Sequence, residues 1–151
     1  MLKNVTKLTF AISFVFTQWS SDSSQNTLIE SASQIQSSPL VQVALDGSTY
    51  IAWGDRRNTP SYDYRMKRLD FSGNVFESYT LSNQHSSSAA GNLEALESDT
   101  EHGVYVLWEQ VMDNRDELRL QQVNSTLDAN GMVFDDNGLT LSGFECDRKH
   151  G

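Results

Sequence analysis

Asp46-Gly-Ser-Thr-Tyr-Ile-Ala-Trp53 joins a tight-turn dipeptide to a short β-rich run, and its last four residues return as Tyr105-Val-Leu-Trp108, 55 residues later. Other pairs keep nearly the same spacing. Leu28 and Leu40 match Leu81 and Leu93 at an offset of 53, which Asp46 and Asp99 share. Tyr64-Arg-Met-Lys-Arg-Leu-Asp70 matches Leu118-Arg-Leu-Gln-Gln-Val-Asn124 at 54, and Asp70 to Phe76 resembles Asp128 to Phe134 at 58. The offset changes where turns are expected, as insertions do in a repeated fold.

Each copy reads as four short strands. In copy one they lie near Thr27 to Glu30 or Leu40 to Ala44, then Thr49 to Trp53, Tyr62 to Asp70, and Asn74 to Thr80. Val41, Val43 and Leu45 alternate with polar neighbours, as do Tyr62, Tyr64 and Met66. Asp46-Gly47, Ser72-Gly-Asn74, Asn130-Gly131 and Asn137-Gly138 supply hairpin chemistry. Gly91 to Glu101 could form a short helix, but its match to the strand at Leu40 makes it a strand. The expected fold is all-β: antiparallel four-stranded repeats of propeller-blade size, two copies plus the start of a third. The alternative is a two-sheet β-sandwich. The boundaries expected are 1–24 for a signal peptide, 25–80 and 81–138 for the repeats, and 139–151 for the start of a third copy or a disordered tail.

The composition sets limits. Hydrophobic residues make up 38% of the chain, enough for a packed core. The net charge of -9 disfavours phosphate backbones, so nucleic acid is not an expected partner. A lone cysteine, Cys146, rules out an internal disulfide, and no Cys/His cluster has zinc spacing. Lys3 and Lys7 precede or flank the apolar run Leu8 to Phe16, after which small polar residues begin. That is the layout of a bacterial secretory signal, and the run is too short to span a bilayer, which needs about 20 residues. A first β-strand is the other reading of this run.

Asp46-Gly-Ser-Thr-Tyr-Ile-Ala-Trp-Gly-Asp-Arg-Arg-Asn58, with Tyr62-Asp-Tyr64 and Lys67-Arg-Leu-Asp-Phe-Ser-Gly-Asn74, resembles the repeats of secreted bacterial β-propellers with sialidase-like blades. The resemblance covers about residues 26 to 142. It departs in copy two at Glu109-Gln-Val-Met112, where the Asp-x-Arg element is lost. It implies a non-catalytic, secreted or surface-exposed recognition or scaffold module, here the first part of a longer propeller, with a protein or glycan ligand at the cell surface. An oligomeric, lectin-like propeller completed by several copies is the alternative, and part of a sialidase-like glycosidase is the third reading. The Asp-box of sialidases is not matched by Asp46 to Thr49.

The candidate ligand-binding residues are Trp53, Asp55, Arg56, Arg57 and Trp108. Arginine offers a planar fork of donors for anions or sugar hydroxyls. The competing role for the Asp-Arg pair is a salt bridge to Asp63 or Asp70, and for the tryptophans it is packing between adjacent blades. Asp128-Ala-Asn-Gly131 and Asp135-Asp-Asn-Gly138 carry oxygens suited to calcium, but Asx-turns account for them without a metal, so no cofactor is expected. His85, His102 and His150 are read as solvated loop residues. No nucleophile or metalloprotease motif is present, so nothing in the sequence calls for an enzyme.

Overall fold

Eight strands in a computed structural model form two antiparallel meanders, β1-β2-β3-β4 and β5-β6-β7-β8, without a helix among the described residues. Those residues are 27–33, 35–57, 63–82, 92–100, 102–111, 116–124, 131–134 and 137–144. The strands of the first sheet are Gln36–Val43, Thr49–Asp55, Asp63–Leu69 and Val75–Ser82. Those of the second are Leu93–Ser98, Gly103–Val111, Asp116–Asn124 and Leu139–Phe144. The segment 1–24, expected as a signal, and Cys146, His85 and His150 lie outside the described residues. No described helix is long and apolar enough to cross a membrane.

The turns follow from local chemistry. Asp46 Oδ1 accepts from Ser48 N at 2.9 Å, while Gly47 takes φ +82°, a conformation L side chains resist. At the next hairpin Asp70 Oδ1 accepts from Ser72 N (2.8 Å) and Asn74 N (2.9 Å).

The two sheets repeat each other in register. Trp53 pairs with Arg65 and Trp108 with Arg119, and Ala52 with Met66 as Leu107 with Leu120. Even the irregularities recur, at Tyr64/Arg65 in one sheet and Leu118/Arg119 in the other. A bulge shared at the same position reads as part of the repeat's design.

One boundary moves. Leu139–Phe144 was expected to open a third copy, but it pairs with β7 as the fourth strand of the second sheet. Thr80 sits opposite Arg65 and Ser82 opposite Tyr64, while Thr140 sits opposite Arg119 and Ser142 opposite Leu118. Leu81 and Leu141 therefore hold equivalent positions, each in the fourth strand of its sheet. The fourth strand of copy two starts as a single bridge, Met132 to Val123, leaves the ladder, and resumes at Leu139. Asn137 and Gly138, both at positive φ, bring it back. The first strand also differs from expectation, beginning at Gln36 rather than Leu40, with a bulge between Ser37 and Leu40.

Because side chains alternate along a strand, each sheet has two faces. One holds Tyr50, Ala52, Tyr64 and Met66 in the first sheet and Tyr105, Leu107, Leu118 and Leu120 in the second; it is termed the tyrosine face. The opposite, tryptophan face holds Ile51, Trp53, Arg65 and Lys67, or Val106, Trp108, Arg119 and Gln121. The shared core joins Tyr50, Ala52, Tyr64, Met66 and Leu81 to Val104, Val106, Trp108 and Val123. The tyrosine face of sheet one thus packs on the tryptophan face of sheet two. The sheets stack in the same sense rather than as mirror partners, with β5 against β1 and β2.

Candidate functional site

At the end of β2 the strand alternation directs Trp53 and Asp55 to the same side. Asp55 is fully buried, which is unfavourable for a carboxylate unless paired. Arg57 supplies the pairing: its Nε reaches Asp55 Oδ1 at 2.9 Å and its Nη2 reaches Oδ2 at 2.7 Å. The Arg57 amide (2.9 Å) and Trp53 Nε1 (3.2 Å) donate to the same carboxylate. This fork holds Asp55 down to about 2, with the Arg57 side chain as the main cause acting against burial.

Arg57 also binds Glu30 Oε2 at 2.6 Å, tying the segment before β1 to the sheet. Burial works to raise the Glu30 carboxyl's pKa, but Arg57, the Ser31 and Ala32 amides and Lys67 outweigh it. Lys67 donates to Ile29 O and lies 5.9 Å above the Trp53 ring. Residues 27–33 thereby cover the β3 half of the tryptophan face and bury Trp53. Beside them a groove of about 310 Å³ opens between Glu30, Gln36, Pro39, Ile51 and Trp53.

Of the five candidate residues, the structure brings Trp53, Asp55 and Arg57 into one network. Arg56 is half-buried and its amide donates to Ile35 O at 3.0 Å. Trp108 stands apart, fully buried between the sheets with its ring 6.2 Å from that of Tyr64. Packing between sheets is what Trp108 does, whereas Trp53 is roofed by the chain's own leading segment. The acid partners of Arg57 are Asp55 and Glu30, not Asp63 or Asp70. Asp63 instead pairs with Arg65 at 3.2 Å, and Asp70 serves its own turn.

In copy two Gln110 takes the position of Asp55, opposite Glu117 as Asp55 is opposite Asp63. It is buried and accepts from Ser82 Oγ at 2.8 Å, linking the sheets. The acid-x-Arg pair of β3 does recur: Arg119 Nη2 meets Glu117 at 2.5 Å, as Arg65 meets Asp63. Asp63-Tyr-Arg65 and Glu117-Leu-Arg119 carry that signal in the sequence. Glu30 and Lys67 had none, because their partners are distant along the chain.

A second centre gathers around Arg68. Its guanidinium meets Asp46 at 3.0 Å, Ser48 at 3.0 Å and Glu77 at 3.4 Å, and lies over the Tyr50 and Phe76 rings. Burial pushes the Tyr50 phenol up to about 12. Among the described residues no group of three or more His, Cys, Asp or Glu is placed to hold a metal ion. Of the calcium candidates, Asp128, Asn130, Asp135 and Asp136 lie outside the described residues, and His102 is exposed.

None of the protein families, curated proteins or solved structures compared with this chain matches it.

Proposed function

We propose that the chain is a non-catalytic recognition or scaffold module built from two propeller-type blades and working outside the cell. The observation that carries this is the same-sense stacking of two four-stranded meanders in equal register, the way blades succeed one another around an axis. The placement of the connections supports a recognition role. Both hairpins at one end of sheet one are tight, whereas the longer connections, β2 to β3 and β4 to β5, leave from the other end beside the Asp55 network. Binding residues concentrate on such loops when a rigid scaffold holds them.

The test presents the immobilised full chain to arrays of surface glycans and extracellular proteins, alongside a panel of fluorogenic glycosides. The reading expects saturable retention of a surface ligand by the folded chain, none by the heat-unfolded chain, and no glycoside turnover. Hydrolysis of any glycoside, or no retained ligand, overturns it. Expression with the native N-terminus tests the location. Export with the first two dozen or so residues removed agrees with it, and an unprocessed cytoplasmic chain refutes it.

A further inference from the structure

Equivalent positions of the two sheets have opposite fates. Tyr50 and Tyr105 occupy the same register position on the tyrosine face, yet Tyr50 is 0% exposed and Tyr105 39%. Leu81 and Leu141 hold equivalent positions in the two fourth strands and are 0% and 48% exposed. On the opposite face the order reverses: Leu96, paired with Val106, is 6% exposed, whereas Val41, paired with the equivalent Ile51, is 60% exposed. Among the described residues there are therefore one filled junction and two half-junctions. One is the tyrosine face of sheet two. The other is the β1 half of the tryptophan face of sheet one, which residues 27–33 leave open.

The filled junction specifies what fits each half. A tyrosine face of this repeat covers a tryptophan face of this repeat, burying Tyr50 and Leu81 against the strand that carries Leu96 and the one that carries Val106. A second copy of the chain offers a tyrosine face for the exposed β1 half of the tryptophan face of sheet one, Val41 and Val43, since Trp53 and Leu69 are already covered within the chain. We propose that copies associate head to tail, the tyrosine face of sheet two in one chain docking on the tryptophan face of sheet one in the next. Such a contact is heterologous, so it either closes a ring or continues as a filament, according to the rotation per step. The acids on the donor face, Glu94, Glu97 and Glu109, make an added acid on the receiving face repulsive. The proposal goes beyond the recognition reading, which is tested separately by ligand retention.

Sedimentation velocity on the native chain and two exposed-site variants tests it. Tyr105→Glu spoils the donor face and Val41→Glu the receiving face; Leu141→Glu and Val43→Glu are the substitutes should either variant lose its native circular dichroism. The native chain is expected at twice the single-chain mass or more, and each variant alone at the single-chain mass. A mixture of one donor-face and one receiving-face variant keeps one intact half of each kind, so it is expected at twice that mass and no higher. A native chain that stays at single-chain mass overturns the proposal. So does assembly that survives Val41→Glu, or a mixture of folded variants that stays at single-chain mass.

Discussion

Asp55→Asn isolates the network at the end of β2. The substitution keeps the shape but leaves one acceptor oxygen in place of two and removes the charge that binds Arg57. Folding lowers this carboxyl from 3.8 to about 2, which corresponds to about 2 kcal/mol at neutral pH. Arg57 retains Glu30 and is 30% exposed at its side chain, so it is not stranded as a buried unpaired cation. The loss should therefore stay near about 2 kcal/mol rather than reach the about 3–5 kcal/mol of a broken buried pair. Because the folded pKa is the lower one, the unfolded chain binds the extra proton as the pH falls from 3.8 towards about 2. The stabilisation is complete above the unfolded value and lost through that window. Urea unfolding followed by tryptophan fluorescence measures it. At neutral pH the variant midpoint should fall by about 1–2 M, given a slope of about 1–2 kcal/mol/M. The gap should close as the buffer approaches pH 2. Equal midpoints at neutral pH, or a gap that persists in acid, would refute the reasoning.

Trp108→Ala empties the centre of the junction and should cost about 3–5 kcal/mol in the same urea assay, with both sheets unfolding together. Gly138→Ala should cost more than Gly47→Ala by about 2 kcal/mol or more in thermal unfolding. Both glycines have positive φ, but a Cβ at Gly138 meets Leu120 O and the Trp108 ring at 2.6 Å each, whereas at Gly47 it meets nothing within 4 Å. In alkaline titration followed by phenolate absorbance, Tyr50 should stay protonated until about pH 12. Since its folded pKa is the raised one, its contribution is full below the ordinary value of 10 and fades as the pH climbs through about 12. Ionisation of all five tyrosines as a single group near 10 would contradict that burial.

The sequence made the strands and turns legible where local chemistry decides them. Asp46-Gly47 announces its hairpin, and the Leu40 match correctly turns Gly91 to Glu101 from a helix candidate into β5. The repeat phase was harder. Of the stretch Asp128–Phe134 that resembles Asp70–Phe76, the described residues show one bridge, Met132 to Val123, before pairing resumes at Leu139. Hence the match of Leu141 to Leu81 did not reveal that both lie in fourth strands. Burial was also hidden: Val41, Val43 and Leu45 alternate as a core strand would, yet all three are exposed. A period of two says that one face is apolar, not what covers it. For the candidate site, Trp53, Asp55 and Arg57 were readable because they lie within five residues of one another. Glu30 was not, because only the fold brings it to Arg57.

The same-sense stacking of the two sheets supports both the blade reading and the head-to-tail assembly, and nuclear Overhauser contacts between aromatic rings in solution test it most directly. The stack predicts cross-peaks between Tyr64 and Trp108, whose ring centres are 6.2 Å apart, and between Tyr50 and the strand carrying Val106. Cross-peaks between Trp53 and Trp108, or between Tyr50 and Tyr105, would place like faces together. That result would contradict the stack and make the molecule a two-fold sandwich.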